Sequence, residues 1–287
     1  MSLLEYRADK DLEETDIELR VTPLAEALRR ARRPVALTGA GISTESGIPD
    51  YRGPGGLWSR HTPIYYSDYL RNPAVRRRYW ARSLNGYPRF RNARPNRGHK
   101  ALAAMEAAGR LHYLITQNVD RLHTLAGSRR VIELHGNNAT VHCIRCGYAE
   151  PRTHTQERLE WDNRHLRLPA DEVGDAQDVI VPVCPRCGGL VKPAVVFFGE
   201  PVPAEVTRRA LEAISEADAL LVVGSSLSVW SGYRLVRAAV EGGKPVYIIN
   251  LGPTRADGEA TLKLEAPAGA ALSAIAGQLG VVVPEGN

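Results

Sequence analysis

Lysine is scarce in this chain. Lys10, Lys100, Lys192, Lys244 and Lys263 are the only ones, so arginine supplies nearly all of the 37 basic residues that outnumber 32 acidic ones. A bias toward arginine, alanine and glycine fits a GC-rich genome, and the net charge of +5 comes without a nucleic-acid-binding motif. The cluster Arg71, Arg76, Arg77, Arg78, Arg82, Arg89, Arg91, Arg94 and Arg97 therefore reads as a solvated helical face or a docking surface for acidic partners. Long apolar runs are missing too, so nothing here spans a bilayer as a helix. The acidic first twenty residues hold neither an apolar signal core nor the acid-poor, serine-rich character of a transit peptide, and the expected location is the cytoplasm. No internal repeat or low-complexity tract is evident. With 287 residues, 44% of them hydrophobic, the chain suits one large lobe and one small one.

One glycine is also missing where a dinucleotide fingerprint would have it. The apolar run Pro34 to Thr38 reads as a buried parallel strand, and Gly39-Ala40-Gly41 then permits a tight turn close to a pyrophosphate, but Thr44 stands at the third glycine of GxGxxG. The segment continues as Gly47-Ile48-Pro49-Asp50-Tyr51-Arg52, a loop carrying a carboxylate and a guanidinium where an ordinary helix would run on. The same grammar recurs. Leu111 to Thr116 leads into Gln117-Asn118-Val119-Asp120, Ala219 to Val223 into Gly224-Ser225-Ser226, and Pro245 to Ile249 into Asn250-Leu251-Gly252. In an open parallel sheet ligands bind beyond the carboxyl ends of the strands, so these clusters are expected on one edge.

All four cysteines fall in two CxxC pairs, Cys143/Cys146 and Cys184/Cys187, each followed by glycine. Four thiolates in two such knuckles suit tetrahedral zinc, and two disulfides are disfavoured in a cytoplasmic protein. No fifth cysteine or neighbouring carboxylate offers an open coordination position, although His142 is adjacent, so a structural ion is expected.

Helices are expected from Thr22-Pro23 to about Arg32, from His99 to Ala108 before Gly109, and near 204–214, 231–240 and 268–279, with a helical insertion inside 50–97. Alternation with the strands predicts an α/β fold, a Rossmann-like parallel sheet with a smaller inserted lobe made of a zinc-binding module and a helical module.

Taken in order, GAGISTESGIPDYR, Gln117-Asn118-Val119-Asp120 with Leu122-His123, Glu133-Leu134-His135-Gly136, the two CxxC pairs, Lys192 to Glu200, Gly224-Ser225-Ser226 and Asn250 resemble the sirtuin (Sir2) family of NAD-dependent protein-lysine deacylases. The resemblance runs from about residue 21 to the end. It is narrowest with the class II branch, which includes the fourth human, mitochondrial sirtuin, through Asp50-Tyr51-Arg52, Arg78 to Arg82, Val229 to Arg234 and Gly252 to Arg255.

The resemblance implies a division into an NAD-binding domain (21–49, 98–137 and 201–287), a cofactor loop with helical insertion (50–97) and a zinc lobe with the acyl-lysine channel strand (138–200). It implies that Ala40, Gly41, Ser43 and Arg52 hold the NAD phosphates and neighbouring ribose, Ile48, Asp50, Asn118 and Asp120 the nicotinamide end, and that Gln117 hydrogen-bonds the ribose. Gly224, Ser225, Ser226, Asn250, Leu251 and Gly252 would hold the adenosine half, Ala268 would meet adenine through its backbone, and Gly39 and Tyr51 complete the cofactor set. His135, with Asn118 beside it, is the implied catalytic residue, taking a ribose hydroxyl proton after the acyl-lysine amide oxygen has displaced nicotinamide. Val195, Val196, Phe197, Phe198 and Gly199 would wall the acyl-lysine tunnel, and Tyr79 with Arg82 resembles the Tyr-x-x-Arg pair that binds an acyl carboxylate in desuccinylating sirtuins. The expected partners are acylated lysine side chains of proteins, met by a monomer, with no membrane and no specific nucleic acid. Protein mono-ADP-ribosylation and a non-catalytic NAD- or ADP-ribose-binding module are the alternatives.

Overall fold

A computed structural model of the chain describes residues 3–51, 56, 62–166 and 176–284, with side chains from Asp16 onward; Arg52 lies outside the described residues. Strands β1 (Pro34–Thr38), β2 (Tyr113–Thr116) and β3 (Val131–Glu133) form one half of a parallel sheet. Strands β4 (Gly136–Cys143), β5 (Ala149–Pro151) and β6 (Val191–Val195) form a separate antiparallel sheet, ordered β5-β4-β6. The chain then returns to the first sheet as β7 (Ala219–Val223), β8 (Val246–Ile249) and β9 (Leu262–Leu264). The resulting order β3-β2-β1-β7-β8-β9 is that of a doubly wound fold, and its direction reverses between β1 and β7.

Both faces of this sheet are covered, which is why its strands read as unbroken apolar runs rather than alternating ones. Helices α1 (Leu3–Arg30), α2 (Tyr66–Arg71), α3 (Pro73–Asn92), α4 (Arg97–Ala107) and α5 (Leu122–Leu125) precede the small sheet; α6 (Arg152–Asp162) lies within its segment, and α7 (Ala204–Glu216), α8 (Trp230–Glu241) and α9 (Ala268–Gln278) follow it. On one face, Leu24, Leu28, Leu102, Met105, Leu272 and Ile275 of α1, α4 and α9 pack on Ala36, Leu114, Leu221 and Ile249. On the other, Ala210, Ile214, Leu235 and Val236 of α7 and α8 cover Val35, Leu37, Ile115, Leu220, Val222 and Ile248. A third core joins Trp80 and Ala81 of α3 to Leu159 of α6 and to Val141, Cys143, Cys184 and Val191, so the helical insertion and the small sheet share one interior.

Two expectations need correction. The first helix does not start at Thr22-Pro23: α1 runs from Leu3 through Pro23, and the Thr22 hydroxyl donates to the Glu18 carbonyl one turn back (3.1 Å) instead of capping a new helix. A β-hydroxyl bonded to the i−4 carbonyl is compatible with helix interior, and the apolar stripe Val21, Leu24, Ala25 and Leu28 holds the turn against α9. Nor is the arginine cluster uniformly solvated. Arg76 donates to the carbonyls of Tyr69 (2.8 Å) and Leu70 (2.9 Å), capping the end of α2, while Arg78 and Arg82 each bury their Nε.

Candidate active site

At the reversal between β1 and β7, two backbones meet with nothing between them. The Gly39 amide donates to the Val223 carbonyl (3.0 Å) and the Gly41 amide to the Gly224 carbonyl (2.8 Å). A methyl group on Gly41 would lie 2.9 Å from the Gly224 Cα, and Gly224 itself has φ 59°, so both positions require glycine. After Gly39 the chain turns into a short 3-10 helix over Ala40–Ser46, closed by Gly47 at φ 79°. This peptide surface, bare of side chains, is the cradle that a pyrophosphate needs, and it fits the phosphates of a dinucleotide.

Behind the cradle lies a buried polar network in which most polar atoms are bonded, His123 Nδ1 excepted. The Ser43 hydroxyl donates to Asp120 (2.7 Å) and accepts from the Asn118 amide (3.1 Å), which also donates to the Gly39 carbonyl (3.0 Å). His99 Nδ1 accepts the Asn96 amide at the capped start of α4 (3.3 Å), so its Nε2 donates to Ser43 (3.3 Å). His123 Nε2 donates to Thr38, whose hydroxyl donates onward to Thr116 (each 2.9 Å). Burial holds His99 down at about 4 and His123 well below its ordinary range, the second helped by the first, so both rings are neutral. Burial raises the Asp120 carboxyl, with the Leu122 amide and Ser43 opposing. Ile48, in the same neighbourhood, is buried against Ala93 and Leu122.

His135 stands beside this network, at the junction of β3 and β4. Its Nδ1 lies 2.9 Å from the Gln117 carbonyl, which can only accept, so Nδ1 carries the proton. Nε2 is left with its lone pair, 2.7 Å from the Ser231 hydroxyl. Burial lowers the imidazole below 6.5 and the Gln117 carbonyl partly offsets this, keeping the ring a neutral base. Gln117 is fixed in turn by its side chain, which donates to Ser225 (2.8 Å).

The structure thus brings Gly39, Ala40, Gly41, Ser43, Gln117, Asn118, Asp120, His135, Gly224 and Ser225 together. Asn250, Leu251 and Gly252 form a turn farther along the edge, where the Asn250 amide donates to the Leu251 (2.9 Å) and Gly252 (3.2 Å) carbonyls and Gly224 N reaches the Ile249 carbonyl. Ser226 accepts the Arg255 amide through its carbonyl, and Ala268 opens α9, whose next residue, Gly269, bonds Glu45 (2.9 Å) near the cradle. Burial raises the Tyr51 hydroxyl, with Asp120 adding to the effect. Asp50 lies in the same loop.

On the other side of His135 lies the segment after β6. The Val196 amide donates to the His135 carbonyl (2.8 Å), and the Phe197 ring meets Tyr69 (5.2 Å) and Tyr79 (5.3 Å) while Phe198 meets Tyr65 (6.0 Å). Lys192, buried, forms an ion pair with Glu200 (3.0 Å), which also accepts the Phe197 amide (2.8 Å), so Val195 to Gly199 is tied at both ends. Tyr79, pushed up to about 12 chiefly by burial, projects toward this aromatic group. Arg82, one turn along α3, donates to the Thr62 carbonyl (3.0 Å). Sequence reasoning missed Ser231 as a partner of His135 and the Lys192–Glu200 pair.

The four cysteine sulfurs lie within 4.8 Å of one another, with Cys143–Cys187 at 3.5 Å and Cys146–Cys184 at 3.7 Å. Tetrahedral zinc with Zn–S bonds of about 2.3 Å places its sulfurs about 3.8 Å apart, so the set fits a zinc ion and leaves no position open. Among the described residues no other donor joins it, and Cys143 lies eight residues along β4 from His135, an extended stretch of roughly 25 Å. An ion held there would be structural.

The Sir2 family model matches residues 39–231. The chain belongs to the Sir2 family. It is 49% identical over 260 residues to the NAD-dependent protein deacetylase of Xanthomonas campestris pv. campestris (strain 8004), covering 87% of this chain and 89% of that protein. To NAD-dependent protein deacetylase 1 of Streptomyces coelicolor it is 48% identical over 276 residues, covering 92% and 91%. Among solved structures, a Sir2–p53 peptide–NAD+ complex superimposes with a TM-score of 0.76 at 35% identity, covering 90% of this chain and 98% of that one. A Sir2 variant with deacetylated p53 peptide and 3′-O-acetyl ADP ribose gives a TM-score of 0.79 at 34% identity, covering 91% and 99%.

Two outcomes follow for this sirtuin. Cys143→Ser or Cys187→Ser should lose bound zinc, read by elemental analysis, and lower the melting temperature sharply, because metal binding is folding energy in a lobe with so small a core; a metal-free variant that melts like the wild type would contradict the assignment. The buried histidines set an acid limb. Between 6.5 and about 4 the unfolded chain binds a proton at His99 that the folded one refuses, so stability falls as pH drops through that window. The slope is up to about 1.4 kcal/mol per pH unit for this one group. Urea denaturation of His99→Gln at pH 7 and pH 5 should show a smaller fall than the wild type, and an identical fall would count against the neutral ring.

Proposed function

We propose that the protein is an NAD-dependent protein-lysine deacetylase, which yields nicotinamide, free lysine and 2′-O-acyl-ADP-ribose. His135 carries the reading: a neutral imidazole with its protonated nitrogen pinned to the Gln117 carbonyl and its basic nitrogen turned away from it is a proton acceptor set in advance. Both the names of the relatives and the solved complexes with peptide and NAD+ support it.

When bound, the dinucleotide supplies a nicotinamide leaving group and the ribose hydroxyls. The glycine cradle would receive its phosphates, and Asn118 and Asp120, locked to Ser43, would meet the carboxamide end in a pocket closed by Ile48. His135 Nε2 would accept the ribose hydroxyl proton, and the Gln117 carbonyl would stabilise the imidazolium through Nδ1. An acyl-lysine would enter along Val195 to Gly199, and an extended peptide would pair between that segment and Ser226 to Val229 by main-chain bonds. ADP-ribose transfer to protein and plain NAD binding are not favoured: a pure binding module has no need of a positioned base. We also take the protein to be a cytoplasmic monomer.

The class II reading rests on the sequence resemblance of its motifs, two of which meet in the fold. Arg255, from Gly252 to Arg255, stacks over Tyr233 (4.2 Å) and Trp230 (5.5 Å), from Val229 to Arg234. For acyl preference, Tyr79 touches the channel residue Phe197 and Arg82 keeps a buried Nε with no hydrogen-bond partner among the described residues, which supports acyl groups that are larger or more acidic than acetyl.

His135→Ala should nearly abolish deacetylation of an acetyl-lysine peptide while zinc content and melting temperature stay near wild type; turnover within about tenfold of wild type would remove His135 from the mechanism. For the acyl group, kcat/KM on matched acetyl-, glutaryl- and methylglutaryl-lysine peptides decides. Arg82→Met should lose about 2 kcal/mol on the acidic acyl peptides and little on acetyl. Equal losses on all three would leave simple deacetylation.

A further inference from the structure

Ser231 touches the base and has no part in the reading above. It is the second residue of α8, and the start of that helix is packed on Gln117: a methyl group on Gly232 would come within 2.5 Å of the Gln117 Oε1. The same turn is braced by Tyr233, whose amide bonds the Val229 carbonyl (3.1 Å) and whose hydroxyl donates to Glu259 (2.5 Å). The Ser231 hydroxyl is therefore presented from a fixed platform. It is the only group among the described residues that bonds His135 Nε2, and because Nδ1 holds the proton it must act as donor.

We propose that Ser231 is a positioning residue for the base, holding the imidazole by Nε2 in the Nδ1–H tautomer and yielding that lone pair to the ribose hydroxyl when the co-substrate binds. The inference rests on His135 being the proton acceptor. A ring gripped at one nitrogen only can rotate about its Cβ–Cγ bond; gripped at both it cannot. The Ser231 bond also favours the neutral ring over the charged one, since its hydroxyl donates to a lone pair that protonation consumes. Charged groups on the surrounding elements do not substitute for it. Asp120 and Arg121 beyond β2 and Glu133 on β3 act on one another, Glu200 after β6 pairs with Lys192, and Arg234 lies on α8 itself, so that beside the Ser231 bond only burial and the Gln117 carbonyl act on the imidazole.

The test uses the full-length enzyme with NAD and an acetyl-lysine peptide. In wild type, nitrogen NMR of labelled histidine should show His135 as the Nδ1–H tautomer; an Nε2–H ring overturns the proposal before any variant is made. Ser231→Ala should keep its zinc and melting temperature, lose about tenfold in kcat/KM, and move the acid limb of the kcat/KM profile upward by about half a pH unit. A rate loss with an unmoved limb would reduce Ser231 to packing, and an unchanged rate would dismiss it; either result overturns the proposal. His135→Ala run in parallel separates the two levels. An active His135→Ala means that the reading of the base has failed, while an inactive one beside an unaltered Ser231→Ala means that only the inference on Ser231 has.

Discussion

Beyond β1 and β7 two segments of the backbone cross so closely that neither can carry a side chain at the crossing. The Gly41 amide bonds the Gly224 carbonyl at 2.8 Å, and a Cβ on Gly224 would stand 2.7 Å from the Gly41 carbonyl carbon. Every other site feature is hung from this crossing. It fixes where the 3-10 turn begins, and hence where Ser43 points; it places Ser225 under Gln117, and through the Gln117 carbonyl it sets the tautomer of His135. A bulky residue at either glycine would separate the strand ends, and overpacking of this kind typically costs about 1–3 kcal/mol before any loss of binding.

The second constraint is polar and buried. Ser43, His99, Asn118 and Asp120 share one network, and Thr38, Thr116 and His123 continue it beneath β1 and β2. Such a network is stable only when nearly complete, because a buried group that loses its partner is costly. The small lobe meets it directly. β4 leaves from Gly136, next to His135, where the left-handed backbone lets β6 approach so near that a Cβ would collide with the Ala194 carbonyl. The zinc cluster orders the far end of β4 and the Lys192–Glu200 pair orders the end of β6, so the channel segment is held from two sides. Removing one partner of so buried a pair costs about 3–5 kcal/mol.

Much of this was legible in the residues because the signals were local. The apolar strands ending in Gly39, Gln117, Gly224 and Asn250, and the CxxC spacing, need no knowledge of distant contacts, and the parallel sheet and cysteine cluster match what they imply. The three-residue strand β9 is too short for any periodicity to show. The passage of α1 through Pro23 depends on packing against α9, which local propensity cannot weigh. Ser231 gave no sign at all, since it lies 96 positions from His135 and its meaning exists only once α8 is docked. Arg152 is similar: it is buried whole, stacked on Tyr87 and Trp80 and bonded to Ser83, although by type it belongs at the surface.

The central claim is that these parts form a deacetylase rather than another user of NAD, and the products decide it. The protein is incubated with NAD and an acetyl-lysine peptide, and the mixture is resolved by mass spectrometry. The account predicts nicotinamide, free-lysine peptide and O-acetyl-ADP-ribose in equal amounts. ADP-ribose attached to protein or peptide with the acetyl group intact would contradict it.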